Sequence, residues 1–137
     1  MPKRYRIRLT ALEDGTVEAR NEHGARIVMG PSGPDAFSPV ELVLAALGGC
    51  SAMDFTDLMR KQRHPVAPAE IEVTAERAPG AEQRVAWARV AYRVVLDEVG
   101  TEKAERAARL IPERTCTVSR TLTHSCPVEH VVEPPDA

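Results

Sequence analysis

The 137-residue chain balances 18 basic against 20 acidic side chains, with 43% apolar and 28% charged residues and a formal net charge of -2. That balance suits one soluble globular domain over residues 1–137, and it lacks the cationic footprint that a nucleic-acid partner requires. Met1-Pro2-Lys3-Arg4 enters charged alternation with no apolar leader, and the longest uncharged apolar run, Leu42 to Met53, is too short to span a bilayer, so the expectation is a cytoplasmic protein with no membrane partner.

Tyr5, Ile7, Leu9 and Ala11 alternate with Arg4, Arg6, Arg8 and Thr10, the two-residue period of a strand with one buried face. Glu13-Asp14-Gly15 predicts a turn, Thr16 to Asn21 a second strand, Glu22-His23-Gly24 another turn and Ala25 to Met29 a third strand. The chain therefore opens as an antiparallel β-meander. A loop from Gly30 to Phe37 leads into a long helix, which Ser38 caps, Pro39 starts and Glu41 supports from the capping-box position.

This helix should run to about Arg63, where His64-Pro65 and Pro68 stop it, a length of about 37 Å at 1.5 Å per residue. Such a helix suits the spine of a subunit interface. Val43, Leu47, Cys50, Asp54 and Leu58 recur at helical steps, which predicts an inward-facing Cys50 thiol on a largely apolar stripe. Glycine costs about 1 kcal/mol against alanine inside a helix, so Gly48-Gly49 predicts close approach of another backbone or a substrate beside Cys50.

Beyond the break, Ile71, Val73 and Ala75 alternate with polar neighbours, and Ala88, Val90, Tyr92, Val94 and Leu96 share a face, which predicts a β-hairpin around Pro79-Gly80. Thr101 to Leu110 reads as a helix with Ala104, Ala107, Ala108 and Ile111 on one side, interrupted or restarted at Pro112. A restart there would set Cys116 near a helix N-terminus, where the dipole lowers a thiol pKa. Pro127 to Glu133 predicts a closing strand.

Three cysteines, Cys50, Cys116 and Cys126, in a reducing compartment favour catalytic or redox roles over a disulfide framework. For Cys50 the plain alternative is a small buried hydrophobe. Cys126, between His124-Ser125 and Pro127, reads as a strand-edge or core residue. Asp54, one turn after Cys50, can accept a proton or pair with an arginine. The four histidines (His23, His64, His124, His130) are scattered and there is no Cys-x-x-Cys pair, so neither a metal nor a cofactor is expected. Gly30-Pro31-Ser32-Gly33-Pro34 lacks the Lys-Ser/Thr ending of a phosphate loop.

Ser38-Pro39-Val40-Glu41-Leu42 through Gly48-Gly49-Cys50-Ser51-Ala52-Met53-Asp54, with Cys116-Thr117-Val118-Ser119 far downstream, resembles the OsmC/Ohr family over nearly the whole chain. The resemblance implies an α+β fold: a β-meander, a long central cysteine helix, a β-hairpin, a second cysteine helix and a closing strand. It also implies an intertwined homodimer and a thiol-dependent peroxidase that reduces organic hydroperoxides at the expense of a dithiol reductant. In that reading Cys50 attacks the peroxide, Cys116 resolves the product and Glu41 is a candidate third site residue. Aligned on Pro39 and Cys50, the glutamate of the hydroperoxide-reducing branch falls on Val40 and its arginine falls near Glu13. Arg20, Arg26, Arg114 and Arg120 are the substitutes available as thiolate partners. The chain looks closer to a less characterised OsmC-like branch, whose alternative function is a non-catalytic dimer that binds a small apolar ligand at the Cys50 pocket.

Overall fold

The computed structural model describes residues 2–68, 70–124, 127–130, 132 and 134. Its elements run β1 (Arg8–Ala11), β2 (Val17–Arg20), β3 (Arg26–Met29), α1 (Pro39–Lys61), β4 (Glu70–Arg77), β5 (Val85–Arg93), α2 (Glu98–Leu110), a π-helical turn (Ile111–Thr115) and α3 (Thr117–Thr123). The class is α+β, with one three-stranded sheet in the order β1-β2-β3 and one strand pair, β4-β5. Two compact units are distinguished, residues 1–46 with 73–89 and residues 47–72 with 90–137.

The first unit holds the meander. Both of its turns are built as the sequence implies: Gly15 and Gly24 take φ of 88° and 90°, values open to glycine without steric penalty. Beside them Asp14 Oδ1 accepts the Thr16 amide at 3.0 Å, and Asn21 Oδ1 accepts the amides of His23 at 2.9 Å and Ala25 at 3.0 Å. Antiparallel pairing sets Leu9 opposite Ala19 and Ala19 opposite Ile27.

Burial departs from expectation here. The first strand begins at Arg8 rather than at Tyr5, and Tyr5, Ile7, Leu9, Ile27 and Val28 are all exposed. A three-stranded sheet of four-residue strands has too little of its own chain to cover both faces. Only Ala19 is buried within it.

The second unit holds the main core, formed by Phe55 and Met59 of α1, Ala104 and Ala107 of α2, Ile111 and Cys116. Val66, Tyr92, Val94 and Leu96 pack against it. Each large side chain buried here stabilises the fold by roughly 1.5–3 kcal/mol. Gln62 and Lys103 tie α1 to α2 reciprocally, the Gln62 amide donating to the Lys103 carbonyl and the Lys103 ammonium to the Gln62 carbonyl, each at 2.9 Å. The 23-residue α1 is long and apolar enough to cross a membrane by length and composition alone. Phe55 and Met59 show where part of that apolarity goes, into the core.

Three further boundaries differ from the sequence reading. Helix α1 ends at Lys61, because Arg63 adopts φ 60° and closes a Schellman-type cap, with the His64 amide on the Met59 carbonyl at 3.0 Å and the Arg63 amide on the Arg60 carbonyl at 3.0 Å. Helix α2 begins earlier, at Glu98, because Asp97 caps it by accepting the Gly100 amide at 2.7 Å. Strand β5 ends at Arg93, short of Leu96.

The closing strand expected over Pro127 to Glu133 is not formed at residues 127–130 or at Val132, whose side chains find no partner strand among the described residues and are exposed. Cys126, Val131 and Glu133 lie outside the described residues.

Candidate functional site

Cys50 is carried by α1, whose start is a complete capping box. The Ser38 amide donates to Glu41 Oε1 at 2.7 Å, and the Glu41 amide donates to the Ser38 hydroxyl at 3.1 Å. In the second unit, α1 buries Leu47, Gly48, Ser51, Phe55 and Met59. The stripe expected through Cys50, Asp54 and Leu58 thus borders the buried face rather than forming it. A polar residue at its centre hides this face from a hydrophobicity pattern: Ser51 satisfies its hydroxyl on the Leu47 carbonyl at 2.7 Å and needs no water.

Cys116 arrives by a different route. Pro112 does not restart an α-helix. Helix α2 instead passes into the π-helical turn, which closes with the Cys116 amide on the Ile111 carbonyl at 2.9 Å. Cys116 then leaves helical geometry, at φ -83° and ψ 107°, and becomes the N-cap of α3, its sulfur accepting the Ser119 amide at 3.3 Å. It is 0% exposed.

These two paths bring Cys50, Asp54 and Cys116 together, with the two sulfurs and a carboxylate oxygen all within 4.8 Å of one another. Cys50 is half-buried and Cys116 fully buried. The Cys50 sulfur lies 4.0 Å from Asp54 Oδ2, long even for a sulfur donor. Burial pushes the Cys50 thiol pKa up. The neighbouring Cys116 and the Asp54 carboxylate push it the same way, against a hydrogen bond from the Val118 amide that favours the thiolate. Successive amides in the first turn of α3, Val118 and Ser119, therefore serve the two sulfurs in turn.

Tyr92 completes the surroundings. Its ring stacks on Phe55 with centroids 5.0 Å apart, and burial pushes its phenol pKa up, opposed by a hydrogen bond with Ser51 and reinforced by the charges of Cys116, Asp54 and Cys50.

The chain matches the family model described as OsmC-like protein over residues 31–131. It belongs to the OsmC-like family. YhfA of Escherichia coli (strain K12) is 32% identical over 127 residues, 92% of this chain and 95% of that protein. An OsmC-like protein from Mycoplasma pneumoniae shares the fold at a TM-score of 0.70 and 16% identity, covering 91% of each chain. A hypothetical protein from Aquifex aeolicus VF5 does so at 0.68 and 20% identity, covering 90% of each.

Within this OsmC-like chain the other expected site residues are placed as follows. Glu41 lies in the first unit, with one oxygen engaged by the Ser38 amide and the other accepting the Ser32 hydroxyl at 2.8 Å; the Ser38 bond foremost holds its carboxyl below the ordinary range. Val40, which stands where the hydroperoxide-reducing branch has glutamate, is exposed.

Arg20 pairs with Glu18 at 2.6 Å, Arg120 donates to the Glu113 carbonyl, and Arg26 and Arg114 are exposed. Among the described residues, no arginine stands with the groups acting on the Cys50 thiol. Gly49 faces open space, since among the described residues a Cβ there would meet nothing within 4 Å, whereas Gly48 is buried.

Tyr92 and Ser51 were legible only as a strand-face residue and as part of the Gly-Gly-Cys-Ser motif. Nothing in the local pattern connects Tyr92 to Cys116.

Proposed function

We propose that this OsmC-like protein is a thiol-dependent peroxidase of oxidative stress defence, reducing organic hydroperoxides or other peroxides through Cys50 and Cys116. The observation that carries this reading is the pair of free sulfurs within 4.8 Å, one half-buried and one fully buried. The Cys50 thiolate attacks the terminal peroxide oxygen, the O–O bond breaks, and the leaving alkoxide takes a proton to become an alcohol. Cys116 then attacks the Cys50 sulfenic acid, the S–O bond breaks, and water leaves as the disulfide forms. A small dithiol reductant returns both thiols. The Val118 amide supports the thiolate in place of an arginine.

Glu41 is the third candidate of this reading, and the engagement of both its oxygens supports the helix cap as its main role. A homodimer and a cytoplasmic location belong to the same reading. The exposed apolar residues Tyr5, Ile7, Leu9, Ile27 and Val28 of the first unit support a second copy as their cover.

A second reading is favoured by the upward push on the Cys50 thiol. In it the protein is a dimer that binds a small apolar ligand at the Cys50 pocket without redox chemistry.

Mass spectrometry after mild peroxide treatment separates the two. The peroxidase reading expects a Cys50–Cys116 disulfide, consumption of an alkyl hydroperoxide with a dithiol, loss of turnover in Cys50→Ser and a sulfenic acid held in Cys116→Ser. No turnover with several hydroperoxides and no disulfide would leave the ligand-binding reading.

A further inference from the structure

Cys50 Sγ, an Asp54 carboxylate oxygen and Cys116 Sγ converge from positions that share no metal-binding spacing, yet all three donor atoms lie within 4.8 Å of one another. In a tetrahedral zinc site the metal-to-sulfur distance is about 2.3 Å and the metal-to-oxygen distance about 2.0–2.2 Å, which places two sulfurs and one oxygen roughly 3.5–3.8 Å apart. Here the Cys50 sulfur and Asp54 Oδ2 are already at 4.0 Å.

The charge of the cluster points the same way. Its members are two thiols and a carboxylate, all anionic when deprotonated and none more than partly exposed.

We propose that Cys50, Asp54 and Cys116 form a binding site for a borderline-soft divalent cation, with zinc as the ion best matched to two thiolates and a carboxylate. Three protein ligands leave a fourth tetrahedral position open. Binding releases the two thiol protons to solvent and changes no oxidation state. Because the same sulfurs make the disulfide, metal-loaded and disulfide forms exclude each other. The metal form keeps Cys50 from attacking a peroxide.

The site is tested on the reduced full-length protein with Co²⁺ alone, in the absence of peroxide, so the outcome does not depend on peroxidase turnover. The expected result is a saturable thiolate-to-cobalt charge-transfer absorption at one metal per chain, removed by Zn²⁺, which stands above Co²⁺ in affinity for such ligands. Cys50→Ser should lose at least half of that absorption. Asp54→Ala should weaken Co²⁺ binding at least about tenfold. Asp54 is only half-buried, so this variant keeps the test valid if the substitution of fully buried Cys116 unfolds the chain. Bound Zn²⁺ should also slow alkylation of Cys50 by iodoacetamide.

No charge-transfer absorption overturns the proposal. So does absorption of equal strength and affinity in Cys50→Ser and Asp54→Ala, which would assign the metal to other ligands.

Discussion

Asp54 stands one helical turn beyond Cys50, with its Oδ2 4.0 Å from the thiol sulfur. A carboxylate so placed opposes ionisation of the thiol, as do burial and the neighbouring Cys116, and burial is the largest of these effects. The site therefore combines two neighbouring sulfurs with a reluctant thiolate.

Replacing Asp54 by Asn removes the charge and keeps the shape. The Cys50 thiol should ionise more readily, and its alkylation by iodoacetamide at pH 7 should accelerate about two- to threefold. An unchanged or slower rate would show that Asp54 does not act on Cys50 through its charge.

The raised Cys50 pKa also predicts how stability varies with pH. The folded state holds the thiol proton more tightly than the unfolded chain does, so the linked stability is fully present below the unfolded value of about 8.5 and is lost as pH rises through the folded pKa. Urea unfolding between pH 7 and pH 10 should show falling stability, and Cys50→Ala should flatten the lower part of that fall. Tyr92, raised for the same reason, should add a further loss at the alkaline end.

Two glycines should respond oppositely to alanine. A Cβ at Gly100 would meet His64 Nε2 at 2.5 Å and Asp97 Oδ1 at 2.9 Å, where something must shift, so Gly100→Ala should destabilise by roughly 1–3 kcal/mol. Gly49 sits in a helix with open space around it, and Gly49→Ala should stabilise the isolated chain by about 0.5–1 kcal/mol. Denaturation midpoints measured at several protein concentrations check both. A concentration-dependent loss in Gly49→Ala would instead place a second copy against that glycine.

Phe55 is 1% exposed and stacks on Tyr92. Phe55→Ala should cost about 3–5 kcal/mol, read as a lower urea midpoint, and should free the Tyr92 ring to move relative to the sulfurs.

Arg63 occupies the left-handed position that ends α1, at φ 60°. Glycine there relieves the steric penalty at some loss of unfolded-state restriction, so Arg63→Gly should stabilise by about 0.5–1 kcal/mol. Thermal unfolding of the two forms checks the sign.

Much of this was legible in the chain. Period-two alternation marked the strands of the meander and the hairpin, and Ser38, Pro39 and Glu41 marked the start of α1, because turns and caps are local chemistry with short-range signatures. The buried face of α1 was harder to read, because Ser51 hides its hydroxyl on its own helix. The route to Cys116 was harder still, because the π-helical turn takes in Pro112 with no sequence signal that separates it from a restarted helix. The close contact of Gly100 with His64 joins segments far apart in sequence, whereas the conspicuous Gly48-Gly49 pair has open space at Gly49.

From residue order alone came the α+β class, the order of elements from β1 to α2, the family resemblance and the choice of Cys50 and Cys116 as the thiols to watch. All of these rest on near-neighbour patterns or on motifs. The sulfur separation, the presence of Asp54 and Tyr92 beside it and the absence of an arginine among the groups acting on Cys50 in the described residues came only with the packed second unit. A thiol's reactivity depends on what burial and long-range folding place within a few ångströms of it, and no local spacing in the chain encodes that.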